Sequence, residues 1–438
     1  MRLSCALIFS FALIGLGDGA VRAAALNAPH TMHHLKTPHL VQTHHPAHHA
    51  VAATKSAAAR VEARTASAGR RVSRRAGNGA ATIRRASLRT RHHYFGERFT
   101  ASSFASSDIF AGDITTGEDP VVRQAAVDAL GDMNGTAVVI NPANGRILAM
   151  VNQKLALSPG AEPCSTIKIT VAMAALSEGL VTRDTMVQLP GFRMNMTQAL
   201  AHSNNLYFEE LGRELGFERV RHYANQFGLG ELAGYNIPGE QLGIYPDHAL
   251  PVSEGGVGRM CSFGQGVSLT PLQLGAYVAA LANGGTLYYL QHPTTPVEIA
   301  AFSPRVKRTL NIAKYVPDLQ DGMAGAVEYG TARRLRASFT ELPVFGKTGT
   351  CSDKGTRFGW FASYSDSPQG SLVTVFFLEG GRPTFGPRAA ELTGAFYRNL
   401  WDHNYFVDKG QQTAGVITPE PARETVPVQT SAVQGTNQ

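Results

Sequence analysis

Long apolar stretches are nearly absent from this 438-residue sequence. The one continuous run, residues 3–17, is shorter than the roughly 20 residues that a helix needs to span a bilayer. Arg2 precedes the run and small residues follow it at 20–25, an arrangement typical of a secretory signal. We therefore expect residues 1–25 to be cleaved and the mature protein to lie outside the cytoplasm, in the periplasm or secreted. An uncleaved N-terminal anchor is the alternative.

Cysteine is also scarce. The chain has four, and Cys5 falls inside the predicted signal. The remaining three, Cys164, Cys261 and Cys351, would meet an oxidising environment. Because three is an odd number, at most one internal disulfide can form.

Acidic residues are rare in one segment. The net charge is +7, yet residues 27–99 hold 13 Lys and Arg against only Glu62 and Glu97, so the rest of the chain is mildly acidic. The segment also holds ten of the 15 histidines and lacks apolar periodicity, so it cannot bury enough surface to offset its ordering entropy. We predict a disordered His/Arg/Ala-rich basic linker over 26–107.

Two specific functions are the alternatives to a linker without a binding role. Its histidine pairs would chelate a metal, or its arginines would contact anionic envelope polymers. Nucleic-acid binding is not expected, because the chain is predicted to be secreted and no aromatic residue lies among the arginines at 70–85.

Periodic patterns occupy the chain from about residue 119 to 403, without internal repeats. Helical spacing is found at 119–132, 165–180, 204–216, 218–227, 270–283 and 387–403. Two β-rich runs joined by Asn144-Gly145 predict a hairpin, and further strands are predicted to end in GKTGT and to cover 357–365 and 372–380. These patterns predict a mixed α/β domain over 108–408 and a disordered tail at 409–438.

Ser165 and Lys168 lie three residues apart at a predicted helix start, so their side chains share one face. A serine becomes a strong nucleophile when a base takes its proton, and a lysine serves as that base when burial or a second cation lowers its pKa. Lys347 is the candidate second cation. Of the nine lysines, only Lys168 has a serine three positions before it.

Two further motifs follow in chain order: Ser203-Asn204-Asn205 and Lys347-Thr348-Gly349-Thr350. On a strand facing the serine, Lys347 would attract a carboxylate while Thr348 and Thr350 hydrogen-bond to it. Gly349 would let a substrate backbone approach. The backbone N–H groups of Ser165 and Thr350 would form an oxyanion hole.

Taken together, PCSTIK, SNN and GKTGT resemble the S-x-x-K, S-x-N and K-T-G motifs of penicillin-binding proteins and serine β-lactamases. AVVINPANGRILAMV and GQGVSLTPLQLGAYVAALANGG are similar to stretches of the transpeptidase domain, and the resemblance covers residues 133–403. It implies an antiparallel five-stranded sheet flanked by helices, with an all-helical subdomain.

The resemblance also implies roles and partners. Ser165 would be acylated by a peptidoglycan stem peptide ending in D-Ala-D-Ala or by a β-lactam, and Lys168 would be its general base. Ser203 and Asn205 would relay protons and hold the substrate amide, while Lys347, Thr348 and Thr350 bind the carboxylate. No metal or other cofactor is required.

Cysteines flank two of the motifs. Cys164 stands where the transpeptidases usually have a small residue, and Cys351 directly follows KTGT. Because some related class A β-lactamases bridge these positions, the resemblance predicts a Cys164–Cys351 disulfide. Cys261 would then be a buried small apolar residue.

Three functions remain open. A D,D-transpeptidase or D,D-carboxypeptidase is favoured over a β-lactamase, since the E-x-x-N loop of class A enzymes is absent and Asn205 replaces the apolar residue usual in class D. A non-catalytic sensor of β-lactams or stem peptides is the third reading.

Overall fold

A computed structural model describes residues 100–407 of the chain. The predicted signal at 1–25, most of the predicted linker at 26–107 and the predicted tail at 409–438 lie outside the described residues.

Residues 100–407 contain eleven α-helices and nine strands. The helices are α1 (Pro120–Leu130), α2 (Gln153–Ala156), α3 (Lys168–Ser177), α4 (Met196–Ala201), α5 (Asn205–Leu215), α6 (Phe217–Gln226), α7 (Gly256–Phe263), α8 (Pro271–Ala282), α9 (Pro296–Ala300), α10 (Val316–Glu328) and α11 (Gly386–Asp402). The strands are β1 (Gly135–Asn141), β2 (Arg146–Val151), β3 (Val187–Leu189), β4 (Phe192–Met194), β5 (Thr286–Tyr288), β6 (Val306–Thr309), β7 (Val344–Asp353), β8 (Thr356–Ser365) and β9 (Val373–Gly380).

The predicted antiparallel five-stranded sheet is confirmed. Its strand order is β2-β1-β9-β8-β7, and every neighbouring pair is antiparallel. The strand β7, which carries KTGT, is an edge strand bonded only to β8 in this sheet. One side of the KTGT backbone is therefore left unpaired by the sheet.

Each face of the sheet packs into its own core, because successive side chains of a strand point to opposite faces. In β1, Val138 and Ile140 join the core that includes α3 and α8, whereas Ala137 and Val139 join the core that includes α1 and α11. Burying an aliphatic side chain of this kind contributes about 1.5–3 kcal/mol. Helices on both faces therefore hold the sheet that carries β7.

The helix α10 packs unusually close to α4 in the helical subdomain. A Cβ added at Gly322 would lie 2.7 Å from the Leu200 side chain, and one at Gly325 would lie 3.0 Å from Ala201 Cβ. Only glycine permits this approach. The contact fixes the C-terminal end of α4, directly before Ser203.

The helix expected to start at Ser165 starts later. Residues Cys164–Ile167 form a 3-10 turn, and α3 begins only at Lys168. The hydroxyl and the backbone N–H of Thr166 both donate to Pro163 O, at 2.7 and 3.1 Å. These bonds tighten the first turn, as is common at helix N-termini. The predicted start of α8 is confirmed, with a capping box between Thr270 and Gln273.

Candidate active site

Ser165 and Lys168 face each other across one helical turn. Lys168 Nζ lies 3.0 Å from Ser165 Oγ. Lys168 is fully buried, whereas Ser165 is half-buried and reachable from solvent. The spacing found in the sequence thus places an amine in hydrogen-bond contact with an accessible hydroxyl.

The SNN segment completes the surroundings of this amine. Four oxygens lie near Lys168 Nζ: Ser165 Oγ at 3.0 Å, Ser203 O at 2.8 Å, Ser203 Oγ at 3.1 Å and Asn205 Oδ1 at 2.6 Å. Ser203 O and Asn205 Oδ1 can only accept hydrogen bonds, whereas the two hydroxyls can also donate. A neutral amine can therefore donate to the carbonyl and the amide oxygen and accept the proton of a hydroxyl. The arrangement suits a base.

The pKa of Lys168 is held well below its ordinary value, chiefly by burial. The positive charge of Lys347 lowers that pKa further, while the carboxylate of Glu209 opposes the shift. Lys347 therefore acts as the second cation that the sequence suggested. Glu209 lies on α5, one turn after Asn205. It belongs to none of the three motifs, so the sequence analysis did not identify it.

Ser203 owes its contacts to an unusual backbone conformation. Its φ is +55°, in the left-handed region that non-glycine residues rarely adopt, at a cost of about 1–3 kcal/mol. This conformation points both its carbonyl and its hydroxyl at Lys168. The middle residue, Asn204, has a structural task, since its side chain accepts from Tyr207 N–H at 3.0 Å and caps α5.

Lys347 is fully buried on β7, and burial lowers its pKa to about 7. The structure gives its Nζ one hydrogen bond within residues 100–407, to Thr348 O at 3.1 Å. Below about pH 7, where it is protonated, Lys347 acts on Lys168 through its charge. Among the described contacts it makes no direct bond to Ser165 or Ser203.

The two threonines of KTGT differ in their hydrogen bonds. Thr348 is buried and its hydroxyl donates to Thr331 Oγ1 at 2.6 Å. Thr350 is exposed, and its hydroxyl oxygen accepts from Gly386 N–H at 2.8 Å, at the start of α11. The hydroxyl proton of Thr350 thus stays available for a ligand.

Gly349 makes room for a different neighbour from the one expected. A Cβ there would lie 2.8 Å from Pro163 O and 3.1 Å from Thr166 Cγ2. The missing side chain lets β7 pack against the turn that carries Ser165. From the sequence we had expected a substrate backbone to approach Gly349. The sequence alone does not show which backbone lies opposite this glycine.

The predicted disulfide between Cys164 and Cys351 is present, with Cα atoms 5.5 Å apart. It joins the residue before Ser165 to the residue after KTGT. The third cysteine, Cys261, is buried as expected, and the structure shows it to be free; burial raises its pKa to about 12. Trp360 reinforces the same contact, since its indole N–H donates to Glu162 O at 3.0 Å.

A pH dependence of stability follows from Lys347. Between pH 7 and 10.5 the unfolded chain keeps a proton on this lysine that the folded chain has released, so the free energy of unfolding should rise with pH. Lys347→Met should lower this slope by up to about 1.4 kcal/mol per pH unit. Urea unfolding of both proteins from pH 6 to 10 measures it.

The exposed Lys314 supplies the control, because Lys314→Met should leave the slope of the wild type unchanged. Equal slopes for Lys347→Met and the wild type would contradict the lowered pKa.

Within residues 100–407, no helix combines the length and the apolar character needed to cross a membrane. The same part of the chain shows no cluster of three or more His, Cys, Asp or Glu side chains arranged to hold a metal ion.

Comparison with known proteins agrees with this fold. Residues 135–397 match the family model of the penicillin-binding protein transpeptidase domain. The chain belongs to that family, as the motifs had indicated.

The chain is similar to stage V sporulation protein D of Bacillus subtilis, with 29% identity over 60% of this chain and 48% of that protein. It is also similar to the peptidoglycan D,D-transpeptidase MrdA of Acinetobacter baumannii, with 24% identity over 69% of this chain and 57% of that protein. The chain thus spans about half the length of these relatives.

A solved structure shares the fold. The D,D-transpeptidase domain of a peptidoglycan glycosyltransferase from Eggerthella lenta superimposes with a TM-score of 0.51 at 19% identity. The match covers 65% of this chain and 82% of that one.

Proposed function

We propose that this chain is a serine acyl-enzyme that acts outside the cytoplasm on D-Ala-D-Ala stem peptides of peptidoglycan, as a D,D-transpeptidase or D,D-carboxypeptidase, and that penicillin acylates it. The contact of 3.0 Å between Lys168 Nζ and Ser165 Oγ, with Ser203 and Asn205 on the same amine, carries the proposal. The disulfide supports the compartment, because such bonds persist where the environment is oxidising.

The proposed first step is acylation. Lys168 takes the hydroxyl proton of Ser165, whose Oγ attacks the carbonyl carbon of the penultimate D-Ala. Backbone N–H groups of Ser165 and Thr350 stabilise the oxyanion. As the peptide bond breaks, the proton passes to the leaving nitrogen through Lys168 and Ser203, and D-Ala departs.

Binding would use the free edge of β7. An extended stem peptide can add alongside an unpaired edge strand, where backbone groups provide affinity. Its terminal carboxylate would lie by Lys347 and the free hydroxyl proton of Thr350. The second step would then transfer the acyl group from Ser165 to an amine of another stem peptide or to water.

The test is a time course with a fluorescent penicillin and a stem-peptide mimic. The protein should take a stable label and release D-Ala from the mimic, and Ser165→Ala should do neither. Rapid loss of label would instead show a β-lactamase, and label without D-Ala release would show a sensor. If the wild type takes no label, the proposal is wrong.

A further inference from the structure

Thr331 lies outside the three motifs, on the segment between α10 and β7, yet it contacts one of them directly. Its side-chain oxygen accepts the hydroxyl proton of Thr348 at 2.6 Å. Thr348 is only 4% exposed, so this bond is shielded from competing water.

The backbone of Thr331 contacts the neighbourhood of a second motif. Its N–H donates to Ala201 O at 3.1 Å, and Ala201 ends α4 two residues before Ser203. The preceding Gly330 makes this possible, because a Cβ at that position would lie 2.1 Å from Ala201 O. Thr331 thus joins the Ser203 turn to the KTGT strand.

The edge strand needs such a contact. In the sheet β7 is bonded only to β8, so its outer side depends on side chains for its position. Lys347 and Thr350, which would bind the substrate carboxylate, lie one and two residues from Thr348. Holding the Thr348 side chain therefore helps to hold the backbone that carries both of them.

We propose that Thr331 is a positioning residue for carboxylate recognition: its hydroxyl holds Thr348, and with it the carboxylate-binding part of β7, against the Ser203 turn. The inference rests on the proposed function and deepens it. Thr331 governs how well a terminal carboxylate binds and leaves the chemistry at Ser165 unchanged.

The test compares two acyl donors on variants of the full chain. The donors are a D-alanyl thioester ending in a free carboxylate and its methyl ester. Thr331→Val keeps the shape and removes the hydroxyl, whereas Thr331→Ser keeps the hydroxyl. Thr374→Val is the matched control, since it breaks a buried bond of 2.7 Å between Ser363 of β8 and Thr374 of β9, two residues outside the three motifs.

Thr331→Val should raise KM for the carboxylate donor by about 10-fold or more, the loss expected when the partners of a charged ligand are displaced, with kcat within about twofold. KM for the methyl ester should change little. Thr331→Ser should restore the wild-type ratio of the two KM values, and Thr374→Val should leave it unchanged.

Equal effects of Thr331→Val on both donors would reduce Thr331 to a general structural role and overturn the inference. No effect on either donor would overturn it as well. Penicillin labelling of the wild type distinguishes failure of the proposed function from failure of the inference about Thr331. If the wild type takes no label, both are wrong. If the wild type is labelled but Thr331→Val leaves the ratio of the two KM values unchanged, only the inference is wrong.

Discussion

Replacing Lys168 by methionine should lower the rate of Ser165 acylation by about 100- to 10,000-fold, the range that general bases contribute. Methionine has a similar length and fills the same buried space, but it has no nitrogen to accept the serine proton. The second-order rate constant of acylation by a fluorescent penicillin measures the loss.

A second variant separates the role of Lys168 as a base from the role of its charge. Lys168→Arg places a permanent cation beside Ser165 and Asn205, because a guanidinium does not give up its proton in proteins. It should therefore be as slow as Lys168→Met. If Lys168→Arg keeps more than about a tenth of the wild-type rate, the base is another group. Circular dichroism and melting curves serve to check that both variants are folded.

Removing the disulfide with Cys164→Ala and Cys351→Ala together should lower the free energy of unfolding by about 2–5 kcal/mol. The bond closes a loop with a sequence separation of 187 residues, so it restricts the unfolded chain strongly. For a domain of this size we expect the melting temperature to fall by roughly 5–15 °C. Alanine at 164 meets the same left-handed strain as cysteine, whose φ is +51°, so the change reports mainly on the bond.

A reductant provides the control for this pair. Dithiothreitol should lower the melting temperature of the wild type towards that of the double variant and leave the double variant itself unchanged. A wild type that melts at the same temperature with and without the bond would show that packing alone holds Ser165 against β7.

Much of the fold could be predicted because its signals are local. The start of the helix at 270 and the Asn144-Gly145 turn each depend on residues close in sequence, and both are found where expected. The hairpin of β3 and β4 was not predicted, since strands of three residues are too short to show a period.

In the candidate site, too, contacts between residues close in sequence could be predicted from their spacing and contacts between distant residues could not. Ser165 and Lys168 are neighbours on one turn, so their spacing alone brought them together. Thr331 lies 17 residues before its partner Thr348, and only the packing of α10 on α4 decides that they meet. Gly349 was recognised as a place of close approach, but its neighbour, the Pro163 carbonyl, belongs to a distant part of the chain.

The strand β7 contacts both the turn that carries Ser165 and the segment that leads to Ser203. Its disulfide and Gly349 bind it to the turn of Ser165, and Thr348 binds it through Thr331 to the end of α4. Sequence change within this strand is therefore constrained at Thr348, Gly349 and Cys351, each by a different neighbouring residue. In proteins that descend from this chain, we therefore expect more substitutions on the outer helices, such as α6 and α9, than at residues 348–351 of β7.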